Sequence, residues 1–184
     1  MESDQIGSNR IKSDRPIGEH RNVKINQILR NFYYELITKP INWSEIKTVL
    51  DVGAGDGRFS VWAKQKGLDV LSIDLQPQYD WIMKGNFTQI DFKENFDLVY
   101  CSHTLEHIVN HFEFAEKLES LTKKYLIVIC PLPNKVFWDE PTHYRPYNAE
   151  TLRRTFFRLK PIKLMEINIP KIITTSIGVF KKSQ

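Results

Sequence analysis

Hydrophobic and polar positions follow different periods in successive stretches of the chain, and those periods predict its elements. Residues 1–20 are polar, show no period and include Gly7, Pro16 and Gly18, which predicts a flexible N-terminal arm. Over about 21–39, Ile25, Ile28, Leu29, Phe32 and Leu36 recur at helical spacing, and Pro40 marks the stop. One amphipathic helix is therefore expected ahead of the core.

Short apolar runs then alternate with helical segments. KTVLDVG, DVLSIDL, a weak run near 81–83, FDLVYCS and YLIVIC read as strands. Helices are expected over about 58–66, closed by Gly67, within 110–124, and over about 149–157 with Asn148 as N-cap. The stretch between YLIVIC and Asn148 reads as a loop. Two last strands, about 162–168 and 172–180, are spaced for a hairpin. The series implies an α/β fold with a mostly parallel sheet covered on both faces.

Composition narrows this only slightly. A chain of 184 residues with 41% hydrophobic content suits one domain, taken as 21–184. No apolar run approaches the roughly 18 residues of a membrane span, and the N-terminus lacks a signal-peptide core, so a soluble cytoplasmic protein is expected. Cys101 and Cys130 each end an apolar run, where a small buried hydrophobe is usual, and no disulfide is expected. Residues 151–184 carry 8 basic and 1 acidic side chains, which suggests either an anion-binding patch or a solvated basic face.

The densest chemistry begins at Asp51-Val52-Gly53-Ala54-Gly55-Asp56-Gly57-Arg58, a buried strand entering a glycine turn and then a helix. Glycines belong there because a ligand must approach the backbone closely and some turn torsions need positive φ. The spacing is G-x-G-x-G, and Arg58 stands where a dinucleotide fingerprint has its third glycine. Asp74 ends the next strand, 21 residues after Gly53, where a carboxylate can accept hydrogen bonds from both hydroxyls of an adenosine ribose.

At these residues the chain resembles the class I S-adenosylmethionine-dependent methyltransferases of the small-molecule and glycan type, and VLDVGAGDGRF looks like their first motif. The resemblance implies a Rossmann-like seven-stranded, mostly parallel sheet ending in a C-terminal antiparallel hairpin, with S-adenosylmethionine as cofactor. It implies that Gly53, Ala54, Gly55 and Gly57 line the methionine and ribose side, that Asp51 supports the loop or the methionine amine, and that Asp74 holds the ribose. Leu75 and Ser102 join the cofactor set; Asn86 would supply an acceptor to adenine and Phe87 would flank its ring.

Ser102 leads into His103-Thr104-Leu105-Glu106-His107, at the carboxyl end of a strand, where ligand crevices of open α/β sheets lie. Similar methyltransferases carry S-x-x-L-E-H here, which Glu106 and His107 match. If the five residues form one helical turn, positions 103, 106 and 107 share a face. H-x-x-E-H is also a zinc-peptidase motif, but that chemistry needs another fold and a distant third ligand. A site without metal is the primary expectation: Glu106 and His107 orient the centre, and His103 or His143 serves as base. The alternative is a divalent metal held by His103, Glu106, His107 and His143, as in some RNA-end methyltransferases; His107 could equally pack inertly behind the cofactor.

The proline-stiffened stretch 131–147 sits at the same end of the sheet and is expected to bind the acceptor. Trp138 or Tyr144 would stack on a sugar or base, and Arg145 would pair with a carboxylate or phosphate. The functional expectation is methyl transfer to an oxygen, less readily a nitrogen, of a small-molecule or glycan-like acceptor. The alternatives are an RNA methyltransferase using the basic C-terminal segment, and a non-catalytic cofactor-binding subunit.

Overall fold

β-Branched and aliphatic residues in alternation build a sheet with two apolar faces. The computed structural model describes residues 19–169 and 173–183, with side chains described from residue 27 onward apart from Val136. The strands are β1 (Thr48–Val52), β2 (Asp69–Asp74), β3 (Met83–Lys84), β4 (Phe96–Ser102), β5 (Thr122–Pro131), β6 (Lys160–Ile169) and β7 (Ile173–Lys181). The helices are α1 (Glu19–Thr38), α2 (Arg58–Gln65), α3 (His111–Leu121), α4 (Lys135–Asp139) and α5 (Ala149–Thr155).

Among the described residues the sheet has seven strands in the order β3-β2-β1-β4-β5-β7-β6. The β1–β2, β1–β4, β2–β3 and β4–β5 pairs are parallel, and β7 runs antiparallel to both β5 and β6. The expected Rossmann-like sheet with its C-terminal hairpin is therefore present. The strand order reverses between β1 and β4, so the crevice opens beyond their carboxyl ends.

Alternate strand residues face opposite layers. Leu50, Val52, Val99, Cys101, Leu126, Val128 and Cys130 pack with Phe114 and Leu118 of α3 and Leu152 of α5. Val49, Leu98, Tyr100, Ile127 and Ile129 pack with Tyr34 and Ile37 of α1 and Phe59 and Trp62 of α2. Both cysteines are buried and free, as expected. Asn148 caps α5 through a reciprocal capping box with Thr151.

Several expectations need correction. Helix α1 starts at Glu19, two residues inside the expected arm; the rest of the arm and Ile172 lie outside the described residues. Among the described side chains of α1, which do not include Ile25, the buried stripe is Tyr34, Ile37 and Thr38, whereas Ile28, Leu29 and Phe32 are exposed. The reason is aromatic packing: the Tyr34 ring lies 5.5 Å from Phe59 and 5.2 Å from Trp62, which fixes the helix rotation. Trp81 precedes β3 instead of joining it, and the stretch read as a loop contains α4, capped by Asn134, whose Oδ1 accepts from Phe137 N. Among the described residues no helix is long and apolar enough to cross a membrane.

Asp97 ties the entry ends of three strands. Its carboxylate accepts from the N–H groups of Lys47 and Thr48 at 2.9 and 3.2 Å and pairs with Lys124 at 3.2 Å. Burial alone would raise its pKa, but these donors outweigh burial and hold it below the ordinary carboxylate value. A depressed folded pKa contributes stability above the unfolded value that is lost as pH falls. Asp97→Ala is expected to remove about 1–3 kcal/mol of stability, read by urea unfolding at neutral pH, and to flatten the acid limb of the stability profile.

Candidate active site

The glycine turn is shaped by what surrounds it. The N–H groups of Gly53 and Ala54 both donate to Ile73 O, at 2.9 and 3.0 Å, which clamps the turn to the end of β2. Gly53 has φ +72°, and a Cβ there would run into the Thr104 side chain; Gly57 has φ +68°, and a Cβ would strike the Trp81 ring. At Gly55 a Cβ would meet nothing within 4 Å, so this backbone faces open space. Only glycine meets both the torsion and the close approach at Gly53 and Gly57.

Asp74 ends β2 with both carboxylate oxygens fixed by backbone: Oδ2 accepts from Gly55 N and Oδ1 from Gln76 N, each at 2.8 Å. Its remaining lone pairs are free for ligand hydroxyls. Asp51 is buried on β1, and its Oδ2 accepts from Ser60 Oγ at 2.6 Å; Ser60 Oγ also lies 2.7 Å from Ser72 Oγ. Burial first, then the charges of Asp74 and Asp56, pushes the Asp51 pKa up to about 7 against the bonds from Ser60.

A cleft of about 320 Å³ is lined by Asp51, Gly53, Ala54, Gly55, Asp56, Arg58, Ser102 and His103. Tyr34, Phe59 and Tyr100 complete its wall. The Phe59 and Tyr100 rings stack at 3.6 Å, and burial followed by Asp51 and Asp56 pushes the Tyr34 phenol up to about 12. Sequence reasoning missed Tyr34, Asp56, Phe59 and Tyr100. Asp56 lay inside the glycine motif itself, and the helical spacing of Tyr34, Ile37 and Ile41 was the available signal for Tyr34.

The adenine-side expectations fare unevenly. Leu75 and Asn86 are exposed, but Asn86 Oδ1 already accepts from Thr88 N and Oγ1 as the cap of a short 3-10 turn. Its amide donors, not its acceptor, remain available. Phe87 is corrected outright: its ring lies in the core against Phe92 and Phe114, because the 3-10 turn points it inward.

A second, open cleft of about 530 Å³ is lined by His103, Glu106, His107, Pro131, Asp139, Glu140 and His143. His103 is not part of a helical turn: it has φ +52°, its N–H donates to Ile129 O at 2.8 Å, and the 3-10 turn begins only at Leu105. The expected grouping survives by another route. His103 Nδ1 lies 3.6 Å and His107 Nε2 3.9 Å from Glu106 Oε1. Nδ1 of His107 contacts Thr142 O at 3.2 Å and Thr142 Oγ1 at 2.9 Å, while His143 Nδ1 meets Phe137 O at 2.9 Å.

Trp138, Tyr144 and Arg145 are exposed and line neither cleft. The apolar anchors of this stretch are Phe137 and Tyr147, both buried, which turns Trp138 outward on the short helix α4. Asp139 and Glu140, which sequence reasoning passed over, take those places on the cleft wall. His111 is buried at the start of α3; burial first, then Arg145, lowers its pKa.

The sheet order and a glycine cradle at the switch point define the class: this is the fold of the S-adenosylmethionine-dependent methyltransferases. A methyltransferase of that kind from Archaeoglobus fulgidus superposes with a TM-score of 0.63 at 17% identity, covering 91% of this chain and 100% of that one. The 1,6-didemethyltoxoflavin-N1-methyltransferase of Burkholderia thailandensis, bound to 1,6-didemethyltoxoflavin and S-adenosylhomocysteine, gives 0.69 at 14%, covering 91% and 84%. The magnesium protoporphyrin IX methyltransferase of Synechocystis with bound S-adenosylmethionine gives 0.65 at 16%, covering 96% and 87%.

The chain belongs to the family described as Methyltransferase domain, which matches residues 20–165. A ubiquinone biosynthesis O-methyltransferase of Rickettsia bellii is 27% identical over 126 residues, 61% of this chain; the match spans about half, 52%, of that enzyme's length. The domain is thus an enzyme domain with S-adenosylmethionine as cofactor. Its cleft fits that group: carboxylates at Asp51 and Asp56 in its lining suit a cationic sulfonium and ammonium, Asp74 stands beside it through its bond from Gly55 N, and the open backbone at Gly55 leaves room for the ligand.

The raised Asp51 pKa has a thermodynamic sign. An acid whose folded pKa lies above its unfolded value of 3.8 makes the ligand-free fold less stable as pH rises from about 4 to about 7. Asp51→Asn is expected to remove that decline, measured as the difference in unfolding free energy between about pH 5 and pH 8.

Proposed function

We propose that this domain transfers the methyl group of S-adenosylmethionine to an oxygen of a small hydroxylated or glycan-like acceptor, with His103 taking the acceptor's proton. The carrying observation is that His103 lines both the cofactor cleft and the open cleft beside it, so its imidazole stands where the two reactants meet. Its left-handed backbone is a strained state for a non-glycine residue, of the kind that concentrates at functional sites.

In this reading the acceptor oxygen attacks the sulfonium methyl in line, the carbon–sulfur bond breaks, and the hydroxyl proton passes to His103. Glu106, 3.6 Å from His103 Nδ1, stabilises the imidazolium. Asp51 faces the methionine ammonium, Asp74 the ribose hydroxyls, and Gly53, Ala54, Gly55, Gly57 and Ser102 form the cradle. A hydroxyl acceptor gives such a base work to do, and the Rickettsia relative is named as an O-methyltransferase.

The RNA reading loses support because most of the described basic side chains of the C-terminal segment have partners at home. Arg153 and Arg154 bind Glu150, Arg158 binds Glu116 and Glu119, and Lys163 and Lys182 donate to backbone carbonyls. A cytoplasmic setting suits the two buried, unpaired cysteines.

Two measurements test the proposal. Calorimetric titration of S-adenosylmethionine is expected to show binding that Asp74→Ala weakens at least ~10-fold, the loss of charge-assisted hydrogen bonds to the ribose. With labelled cofactor and a panel of phenols, catechols, sugars and amines, label is expected on oxygen, and His103→Ala should lower kcat by about 10²–10⁴-fold with cofactor affinity unchanged. Label on amines alone, or full turnover by His103→Ala, overturns the assignment.

A further inference from the structure

In the resting site, before any proton reaches His103, the Glu106 carboxylate is left without a partner among the described residues. The side chain is 1% exposed, and neither of its carboxylate oxygens accepts a hydrogen bond from them. As long as it stays ionised, a buried carboxylate in that state needs a compensating positive group. The two ring nitrogens nearest to supplying one face it from His103 and His107, at 3.6 and 3.9 Å, beyond hydrogen-bond distance.

The tautomers of His107 and His143 follow from their anchors. A backbone carbonyl only accepts, so Nδ1 of His107 against Thr142 O, and Nδ1 of His143 against Phe137 O, each carry the proton. In the neutral imidazoles Nε2 then holds a lone pair. One ligand atom each from Glu106, His107 and His143 falls within 4.8 Å of the others, and the two imidazole centroids are 4.7 Å apart. The Nε2 lone pair of His107, the Glu106 carboxylate and the His143 ring thus meet at one small volume.

We propose that Glu106, His107 and His143 form a binding site for a single divalent transition-metal ion of the Zn²⁺ type. Two imidazoles and one carboxylate are a donor set that such ions favour, and bonds of roughly 2.0–2.2 Å would draw the three donor atoms inward from their present spread of up to 4.8 Å. The carbonyl-anchored Nδ1 groups are the outer supports that metal-bound histidines use. The three protein ligands leave coordination positions open toward the cleft lined by His103, Asp139 and Glu140. His103 is outside the ligand set and exposed, which leaves it free as a base. An acceptor hydroxyl bound at an open position would be acidified there, a role that rests on the oxygen-acceptor reading, whereas the site itself does not.

The test uses tag-free full-length protein stripped with a chelator and dialysed against micromolar Zn²⁺. Elemental analysis is expected to give about one bound equivalent, and Co²⁺ in its place should give visible d–d absorption of a low-coordinate nitrogen and oxygen site. His143→Ala, at a partly exposed position, is expected to weaken Zn²⁺ at least ~10-fold while keeping S-adenosylmethionine affinity, and His103→Ala to retain the ion. Glu106→Gln should match His143→Ala, with circular dichroism confirming that each variant is folded. Less than a tenth of an equivalent in the wild type, or equal retention by His143→Ala, overturns the site. Cofactor titration on the same samples separates that result from a failure of the methyltransferase reading.

Discussion

The close approach of Gly53 to Thr104 is the constraint on which both halves of the site depend. The turn after β1 and the segment after β4 occupy neighbouring strand ends, and the Thr104 side chain fills the space where any Cβ at Gly53 would sit. Thr104 Oγ1 donates to Ser102 O at 3.1 Å and reaches Val52 O at 3.5 Å, which ties that side chain to the last residues of both strands. The cofactor cradle and the histidine segment are in this way packed as one body, and the position of His103 between the two clefts follows from it.

Much of this was legible where local pattern and tertiary role coincide. The run into Gly53, the acid at the end of β2 and the capped start of α5 each carry their own local instruction, so sequence and structure agree there. In α1 the helix was legible but its buried face was not. Ile28, Leu29 and Phe32 form a genuine helical stripe, yet Tyr34 finds aromatic partners in Phe59 and Trp62, and only tertiary packing decides between the stripes. Phe87 was misplaced for a related reason: the Asn86 cap on Thr88 sets the turn that directs the ring inward. The left-handed backbone of His103 has only a weak signature in residue type, since histidine is merely enriched among the few non-glycine residues at positive φ.

Charge patterning carries the same lesson. By count, the C-terminal fifth is strongly basic, but Glu150, Glu116 and Glu119 lie opposite its arginines, and two of its lysines reach carbonyls. Glu150 is held at about 2 by bonds from Arg153 and Arg154. A linear tally cannot see partners supplied by α3. The reverse holds beside the glycine turn, where Asp74 from the next strand comes close to Asp51 and Asp56. Their mutual repulsion, added to burial, is what lifts Asp51.

Three histidines within one cleft need not share one role, and their anchors separate them. His107 and His143 have Nδ1 committed to backbone carbonyls, so each keeps a fixed ring orientation and a single lone pair at Nε2. His103 has only an ion-pair distance to Glu106 and an exposed ring. A ligand must be held still, whereas a base must meet a proton that arrives with the substrate and then release it to solvent. The anchored pair satisfies the first requirement and the free ring the second, with the buried Glu106 carboxylate between them, having lone pairs enough for an ion on one side and an imidazolium on the other.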